Sequence, residues 1–152
     1  MANLWLLLWV AGCTGPTPGD EAFEVGPMAS FESEVQPALS ERCASGGCHG
    51  VAARPLALYA PGVLRMDGER TYLDEALTAD ELEANAHRLA GFAHGHGRGD
   101  MTDSPALCKP LSQSAGGCWH GADDVFFDRT DPDYQAMVRW LQMRSPLDGG
   151  LP

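Results

Sequence analysis

The spacing of apolar residues along the chain predicts a first helix over about residues 31–42. Apolar side chains recur there every three or four positions, which places them on one helical face. Ser30 stands where a hydroxyl can cap the start of the helix. Pro37 lies inside the stretch and should kink the helix or mark a second start, because proline has no N–H to donate. The residues that share the helical spacing are Phe31, Val35, Leu39 and Arg42.

A second helix is predicted over about residues 79–90. Thr78 and Glu81 lie three positions apart at its start and have the pattern of a capping box. Gly91 follows as the expected stop signal, because glycine commonly ends helices. The apolar face of this helix is formed by Leu82, Ala86 and Leu89.

A third helix is predicted over about residues 132–143, with Asp131 as its cap, Pro132 at its first position and Pro146 beyond its end. No convincing hairpin is present, and glycine-rich and proline-rich stretches separate the helices. The fold class is therefore predicted as mainly α with long loops. The apolar stripe of the third helix is Tyr134, Met137, Val138 and Leu141.

The N-terminus carries an apolar run from Leu4 to Val10, which is too short to span a bilayer but suits the core of a secretory signal. The residues that end this run, Val10-Ala11-Gly12-Cys13, resemble the lipobox of bacterial lipoproteins. The resemblance implies cleavage before Cys13, which would become the lipidated N-terminus. The alternative is an uncleaved hydrophobic N-terminus. We therefore predict a signal peptide at 1–12, a flexible tether at 13–29 and a folded domain at 30–152.

The charge of the chain narrows the choice of partners. The 152 residues carry 21 acidic and 10 basic side chains, for a net charge of −11, and Lys109 is the single lysine. Nothing here could neutralise a run of phosphates, so nucleic acid is excluded as a partner. An acidic surface suits a basic electron-transfer partner, and it equally serves simple solubility.

Two cysteines stand close to a histidine in the stretch that follows the first predicted helix. The stretch reads Cys43-Ala44-Ser45-Gly46-Gly47-Cys48-His49. This arrangement resembles the haem-attachment motif of c-type cytochromes, in which two thiols bind the porphyrin and the adjacent histidine binds the iron. The usual spacer is two residues and here it is four, so the extra residues must loop outward. Gly46 and Gly47 suit such a loop because glycine readily adopts left-handed backbone conformations.

Residues 31–141 as a whole resemble the c-type haem domains of some environmental bacteria. The resemblance implies a cytochrome c-like helical domain, with the first and last helices packed together beside the haem. It implies haem c bound through Cys43 and Cys48, with His49 as the proximal iron ligand. The implied role is one-electron transfer to a redox partner protein, and not enzymatic catalysis. The supporting residues are 31–39, Cys48-His49-Gly50, Lys109-Pro110-Leu111, Gly116-Gly117, His120-Gly121, Asp131-Pro132-Asp133-Tyr134 and Trp140-Leu141.

In small cytochromes the second iron ligand usually comes from the loop before the last helix. We favour His120 in this role, and the alternatives are Met101, His94, His96 or no protein ligand. With Cys13 assigned to lipid and two cysteines to haem, Cys108 and Cys118 remain. An oxidising compartment favours a disulfide between them, which would hold the His120 segment rigid. The aromatic residues Trp119, Phe126, Phe127 and Trp140 could line a haem pocket or form ordinary core.

Two other functions stay open from the sequence. The first is a disulfide-stapled envelope lipoprotein without haem, in which Cys43 pairs with Cys48 and the protein acts in binding or structure. The second is a zinc site made of Cys43, Cys48, His49 and one further ligand, which an oxidising compartment opposes. The predicted location is the cell envelope, as a membrane-anchored lipoprotein of the outer membrane or facing the periplasm.

Overall fold

The computed structural model describes residues 25–93 and 101–143 and confirms the mainly α class. These residues form no β-strand, and a single isolated bridge joins Leu111 to Phe126. Short 3₁₀ turns lie between the helices at Gly68–Arg70, Met101–Asp103 and Gln113–Ala115. The helices are α1 over residues 28–43, α2 at Ala79–Phe92, α3 at Pro105–Cys108 and α4 at Pro132–Gln142.

Helix α1 is continuous but alternates between two helical forms. It is α-helical at Met28–Ser30 and Gln36–Ala38 and π-helical at Phe31–Val35 and Leu39–Cys43. The wider turn before Pro37 explains why proline does not end the helix, since its ring would clash with the carbonyl four residues earlier in a regular α-helix. The predicted capping role of Ser30 is wrong. Its hydroxyl lies within the helix and donates to the Pro27 carbonyl.

Helix α2 confirms the predicted capping box. The Thr78 hydroxyl accepts a hydrogen bond from the Glu81 N–H, and the Glu81 carboxylate accepts one from the Thr78 N–H. The predicted stop at Gly91 is wrong, because the helix continues to Phe92. A side chain at position 91 would meet open space, so no close packing selects glycine there.

Helix α4 begins and packs as its sequence predicts. The Asp131 carboxylate accepts hydrogen bonds from the N–H groups of Asp133 and Tyr134, and Pro132 occupies the first turn. The four residues of the predicted apolar stripe, Tyr134, Met137, Val138 and Leu141, are all buried.

Helices α1 and α4 pack directly against each other. The rings of Phe31 and Trp140 lie 4.8 Å apart and are both buried. At the opposite end of the contact, the Arg42 guanidinium forms ion pairs with Asp131 and Asp133 at 3.0 and 2.8 Å. The C-terminal end of α1 is thereby fixed to the N-terminal end of α4.

A buried ion pair fixes α2 to the loop before it. Arg65 and Glu81 are almost fully buried, and two of the Arg65 nitrogens donate to the two Glu81 carboxylate oxygens at 3.0 and 2.9 Å. The remaining guanidinium bonds reach the carbonyls of Glu75 and Ala76. The hydrogen bonds from Arg65, with those from the N–H groups of Thr78 and Met66, lower the pKa of Glu81 to about 2 against the opposing effect of burial, so Glu81 stays ionised in its buried position. Sequence analysis did not identify this pair.

Several predicted segments lie outside the described residues. They are the signal peptide at 1–12, most of the tether at 13–29, the lipidation site Cys13 and the helix stop Pro146. In the part of the chain that the structure describes, none of the helices has both the length and the apolar character needed to cross a bilayer.

Candidate functional site

The loop between the two cysteines returns the chain to the end of α1. Cys43 is the last residue of α1, and its carbonyl accepts a hydrogen bond from the His49 N–H at 3.0 Å. Within the loop, the Ser45 carbonyl accepts hydrogen bonds from the N–H groups of Cys48 and Gly50. His49 is therefore fixed beside the end of α1, despite the four residues that separate the cysteines.

The glycines of this loop act differently from the sequence prediction. Gly46 and Gly47 loop outward into open space, as expected, but neither adopts a positive φ angle. Glycine is instead required at Gly50, where a Cβ atom would collide with the Ala44 carbonyl and the Val63 side chain. The tight return after His49 thus depends on the absence of a side chain at position 50.

The two cysteine thiols are free and lie in different surroundings. Cys43 is buried against the hydrophobic core, and Cys48 is exposed. Burial raises the pKa of the Cys43 thiol to about 11, with a further contribution from Cys48. The structure does not form the disulfide between Cys43 and Cys48 that one of the alternative functions requires.

The His49 ring is oriented by one backbone hydrogen bond. Its Nδ1 lies 2.7 Å from the Leu56 carbonyl oxygen, and because that oxygen can only accept, Nδ1 carries the proton. Nε2 is left as the lone-pair nitrogen that can bind a metal. Burial lowers the pKa of His49, and His120 and Arg54 lower it further, against an opposing effect of the Leu56 bond. His49 is therefore neutral at physiological pH, as a metal ligand must be.

The structure brings His120 to His49. Their ring centroids are 6.0 Å apart and their planes are inclined by 18°. The Nδ1 atom of His120 is buried and has no hydrogen-bond partner among the described residues. A buried nitrogen without a partner is rare in proteins and often marks a place where an ion or ligand supplies the missing interaction.

The distance between the two rings fits one metal ion bound by both. Two metal–nitrogen bonds of about 2 Å, plus about 1 Å from each nitrogen to its ring centre, give a centroid separation of about 6 Å. The separation of 6.0 Å therefore leaves room for one iron held between the two imidazoles. The thiols that could attach a porphyrin are contributed by the same loop as His49.

The other candidate ligands differ in placement. Met101 is partly buried and packs against the hydrophobic core. His94 and His96 lie outside the described residues. Across 25–93 and 101–143, no three His, Cys, Asp or Glu side chains are grouped so that they could hold a metal ion. A structural zinc site needs four ligands, so the described residues give the zinc alternative no support, whereas a haem iron takes only two from the protein.

The His120 segment is held by the predicted disulfide, which the structure confirms. Cys108 and Cys118 are bonded to each other, and the Cys118 N–H also donates to the Cys108 carbonyl at 2.8 Å. Gly116 adopts a positive φ of 90°, which turns the chain, and Gly117 packs so closely on Leu111 that a side chain would clash with its carbonyl. Two residues beyond the disulfide, His120 is confined near His49.

The four aromatic residues divide between core and surface. Phe126 and Trp140 are buried in the core, whereas Trp119 and Phe127 are exposed. Phe126 packs at the junction of α1 and α4, under the Arg42 guanidinium and against the Tyr134 ring. Of the four, only Trp119 and Phe127 have surface free to contact another molecule.

Sequence analysis missed the residues that hold the segment after His49. The backbone of residues 56–59 is bound on one side by His49 and on the other by Asn85 and Arg88 of α2. One spacing in the sequence carried this information, and only weakly. Asn85 and Arg88 lie three positions apart, and so on one helical face, but nothing local indicates their partners.

Comparisons with models of protein families, with curated proteins and with solved structures found no match for this chain.

Proposed function

We propose that the protein is an exported, lipid-anchored c-type cytochrome that binds a single haem and relays one electron at a time. The observation that carries the proposal is the pairing of His49 with His120, whose rings are 6.0 Å apart, together with the two free thiols of Cys43 and Cys48 in the segment that leads to His49. When bound, haem supplies an iron that alternates between the ferric and ferrous states. The residues of the chain hold, orient and shield it.

Cys43 and Cys48 would attach the cofactor covalently. In each attachment the S–H bond of the thiol is broken, a C–S bond forms with one carbon of a vinyl group, and the hydrogen goes to the other carbon. No oxidant is consumed. The buried Cys43 thiol, with its pKa of about 11, is protonated at neutral pH and inaccessible. Attachment is therefore expected before the end of α1 packs into the core.

His49 and His120 would be the two protein ligands of the iron. His49 suits this role because its Nδ1–H is bound to the Leu56 carbonyl, which leaves the lone pair of Nε2 for a metal. His120 brings a buried Nδ1 that has no hydrogen-bond partner within 25–93 and 101–143. Two imidazole ligands give a lower reduction potential than a histidine and a methionine, so the proposal places this protein among the lower-potential carriers.

The surrounding fold supports the proposal in two ways. The direct packing of α1 on α4 agrees with the plan expected of a cytochrome c-like domain, in which the first and last helices meet. The Cys108–Cys118 disulfide agrees with an oxidising compartment outside the cytoplasm, where such cytochromes mature. Export and anchoring through Cys13 rest on the lipobox resemblance alone.

The acidic character of the chain bears on its partner. With a net charge of −11, the protein would attract a redox protein with a basic surface, at a rate that falls as salt rises. No nucleic acid is proposed as a partner, because the basic residues are too few to neutralise a phosphate backbone.

The test is expression of the full chain in a host that matures c-type cytochromes. We expect a coloured protein whose mass, after denaturation and acid extraction, exceeds that of the polypeptide by one haem. A double variant, Cys43→Ser with Cys48→Ser, should be colourless. The matched double variant, Cys108→Ser with Cys118→Ser, should retain the covalent haem.

One outcome would overturn the proposal in favour of the disulfide-stapled lipoprotein. That outcome is a colourless protein from the same host, with a mass lowered only by the four hydrogens lost in forming two disulfides. A peptide map would then find Cys43 linked to Cys48.

A further inference from the structure

We infer that Asn85 is a positioning residue for His49, acting through the backbone of residues 56–59. The inference rests on the proposed role of His49 as an iron ligand and adds a determinant of its orientation. Asn85 does not contact the ring. It binds the extended segment whose carbonyl fixes the ring.

The segment is bound alternately on its two sides. The carbonyl of Leu56 accepts from His49 Nδ1 at 2.7 Å, and the N–H of Leu58 donates to the His49 carbonyl at 2.7 Å. The carbonyl of Ala57 and the N–H and carbonyl of Tyr59 are bound on the other side, by side chains of α2. Backbone groups alternate between two sides in the same way along a β-strand. Here His49 binds one side, and the side chains of Asn85 and Arg88 bind the other, so no neighbouring strand is needed.

Asn85 takes the place of a strand partner. Its Oδ1 accepts from the Tyr59 N–H at 2.9 Å, and its Nδ2 donates to the Tyr59 carbonyl at 2.8 Å. The same Nδ2 donates to the Gln36 Oε1 in α1 at 2.9 Å. The Tyr59 carbonyl has a second donor in Gln36 Nε2 at 3.3 Å. Asn85 is fully buried, so loss of its side chain would remove the acceptor of the Tyr59 N–H and the donor to Gln36 Oε1.

Arg88 binds the same segment one turn further along α2. Its guanidinium donates to the Ala57 carbonyl at 2.7 Å and to the Tyr59 hydroxyl at 3.2 Å, and it lies 4.6 Å from the centre of the Tyr59 ring. Arg88 is only partly buried, so its substitution disturbs the core less than that of Asn85. The two residues together fix the segment to one face of α2.

The consequence for the site is mechanical. Because the Leu56 carbonyl determines which His49 nitrogen carries the proton, any movement of the segment changes both the tautomer and the direction of Nε2. Helix α2 thereby controls a ligand that lies in a different part of the chain. The hydrogen bond at Nδ1 sets how strongly Nε2 donates electrons, so its strength would change the reduction potential of an iron bound at Nε2.

The experiment compares the full chain with Asn85→Ala and Arg88→Met. Nitrogen NMR of labelled histidine reports the tautomer of His49, and amide hydrogen exchange reports the Leu58 N–H. We expect the Nδ1-protonated form to dominate in the wild type and to give way to the Nε2-protonated form in Asn85→Ala. Exchange at Leu58 should be roughly tenfold faster, the effect of one lost hydrogen bond. Arg88→Met should give the same changes at smaller amplitude.

Two controls separate positioning from general stability. Glu81→Gln disturbs a buried polar group of the same helix and should leave the His49 tautomer unchanged. Arg88→Lys keeps a donor and should restore the wild-type tautomer. In the haem-loaded protein, Asn85→Ala and Arg88→Met should shift the reduction potential, and Glu81→Gln should not.

The inference is wrong if the His49 tautomer is the same in the wild type and in Arg88→Met and Asn85→Ala. It is equally wrong if Glu81→Gln moves the tautomer as much as they do. Should Asn85→Ala not fold, Arg88→Met and its lysine rescue decide the question. Absence of haem from the wild type would refute the proposed function, yet the histidine signals would still test the inference.

Discussion

His49 and His120 reach the same place from two regions that are built in different ways. The His49 region is held by many hydrogen bonds that extend through residues 56–59 into α2. The His120 region is held by one covalent bond, Cys108–Cys118, and by glycine turns. The first therefore depends on the packing of the whole domain, whereas the second depends on local chain geometry.

The two histidines differ accordingly. His49 has a fixed tautomer and one nitrogen left free, so its ring is oriented before any ligand binds. His120 is brought close to His49, but among the described residues its buried Nδ1 has no hydrogen-bond partner that would fix the ring. We conclude that the hydrogen-bonded region sets orientation and the disulfide-bonded region sets proximity. Four perturbations test this difference between the two regions.

Acid should weaken the attachment of helix α2 to the loop before it, and it should affect the disulfide loop less. The pKa of Glu81 is lowered from 4.5 to about 2, so the stability it contributes is complete above pH 4.5 and is lost as the pH falls toward 2. The shift corresponds to about 3 kcal/mol. Urea unfolding at pH 5, 4 and 3 measures the loss, and amide exchange should show α2 opening before the disulfide loop. A Glu81→Gln variant with the same pH dependence would contradict this assignment.

Removal of the disulfide should act on the His120 region alone. The bond closes a short loop of sequence separation 10, so the double variant Cys108→Ser with Cys118→Ser should lower the free energy of unfolding by roughly 2–3 kcal/mol. Histidine NMR should show that the His49 tautomer is retained. A lost His49 tautomer in this variant would mean that the two regions are not independent.

Replacing a glycine by alanine should change the stability in opposite directions in the two regions. Gly121 follows His120 and has a φ of 82°, so Gly121→Ala should lower the stability by about 1 kcal/mol through backbone strain. Gly91 lies in helix α2 with open space around it, so Gly91→Ala should raise the stability by about 0.5–1 kcal/mol. Thermal unfolding of both variants checks the pair. If both variants changed the stability equally, the contrast between a strained backbone at Gly121 and an open helical position at Gly91 would be contradicted.

Substitution of His120 itself should have the smallest effect on stability. The residue is only partly buried, so His120→Ala should change the free energy of unfolding by less than about 0.5 kcal/mol. In the haem-loaded protein it should nonetheless alter the optical spectrum, because one protein ligand of the iron would be lost. His87→Ala provides the control, since His87 is exposed on α2 and pairs with Glu83, away from His49 in the sequence. An unchanged spectrum in His120→Ala would exclude His120 as a ligand.

Local signals in the sequence were sufficient for the helices α2 and α4. Caps at Thr78 and Asp131 and the apolar stripes fixed their starts and faces, because capping depends on neighbours within one turn. The same reasoning failed at Ser30 and Gly91. Packing of the surrounding structure outweighed the weak preference of a single residue at those helix ends.

The candidate site could be predicted only in part. Cys48 and His49 are neighbours in the sequence, so their adjacency needed no structure. The disulfide between Cys108 and Cys118 was predicted because the other cysteines had been assigned to lipid and haem. From the sequence, His120 was only the favoured one of several candidate ligands. The structure distinguishes it from Met101 because its ring lies 6.0 Å from that of His49, whereas Met101 packs against the hydrophobic core. Distances between residues far apart in the chain carry no local pattern.

Sequence alone was enough to predict the mainly α class, the starts of α2 and α4 with their caps, and the chemical groups that stand next to one another along the chain. Tertiary structure alone decided the π-helical turns of α1, the burial of Arg65 with Glu81 and the support of His49 by Asn85. The two groups of features differ in the distance along the chain over which their interactions act. Caps and periodicity act within one or two turns, whereas a buried polar group finds its partner only after the whole chain has closed around it.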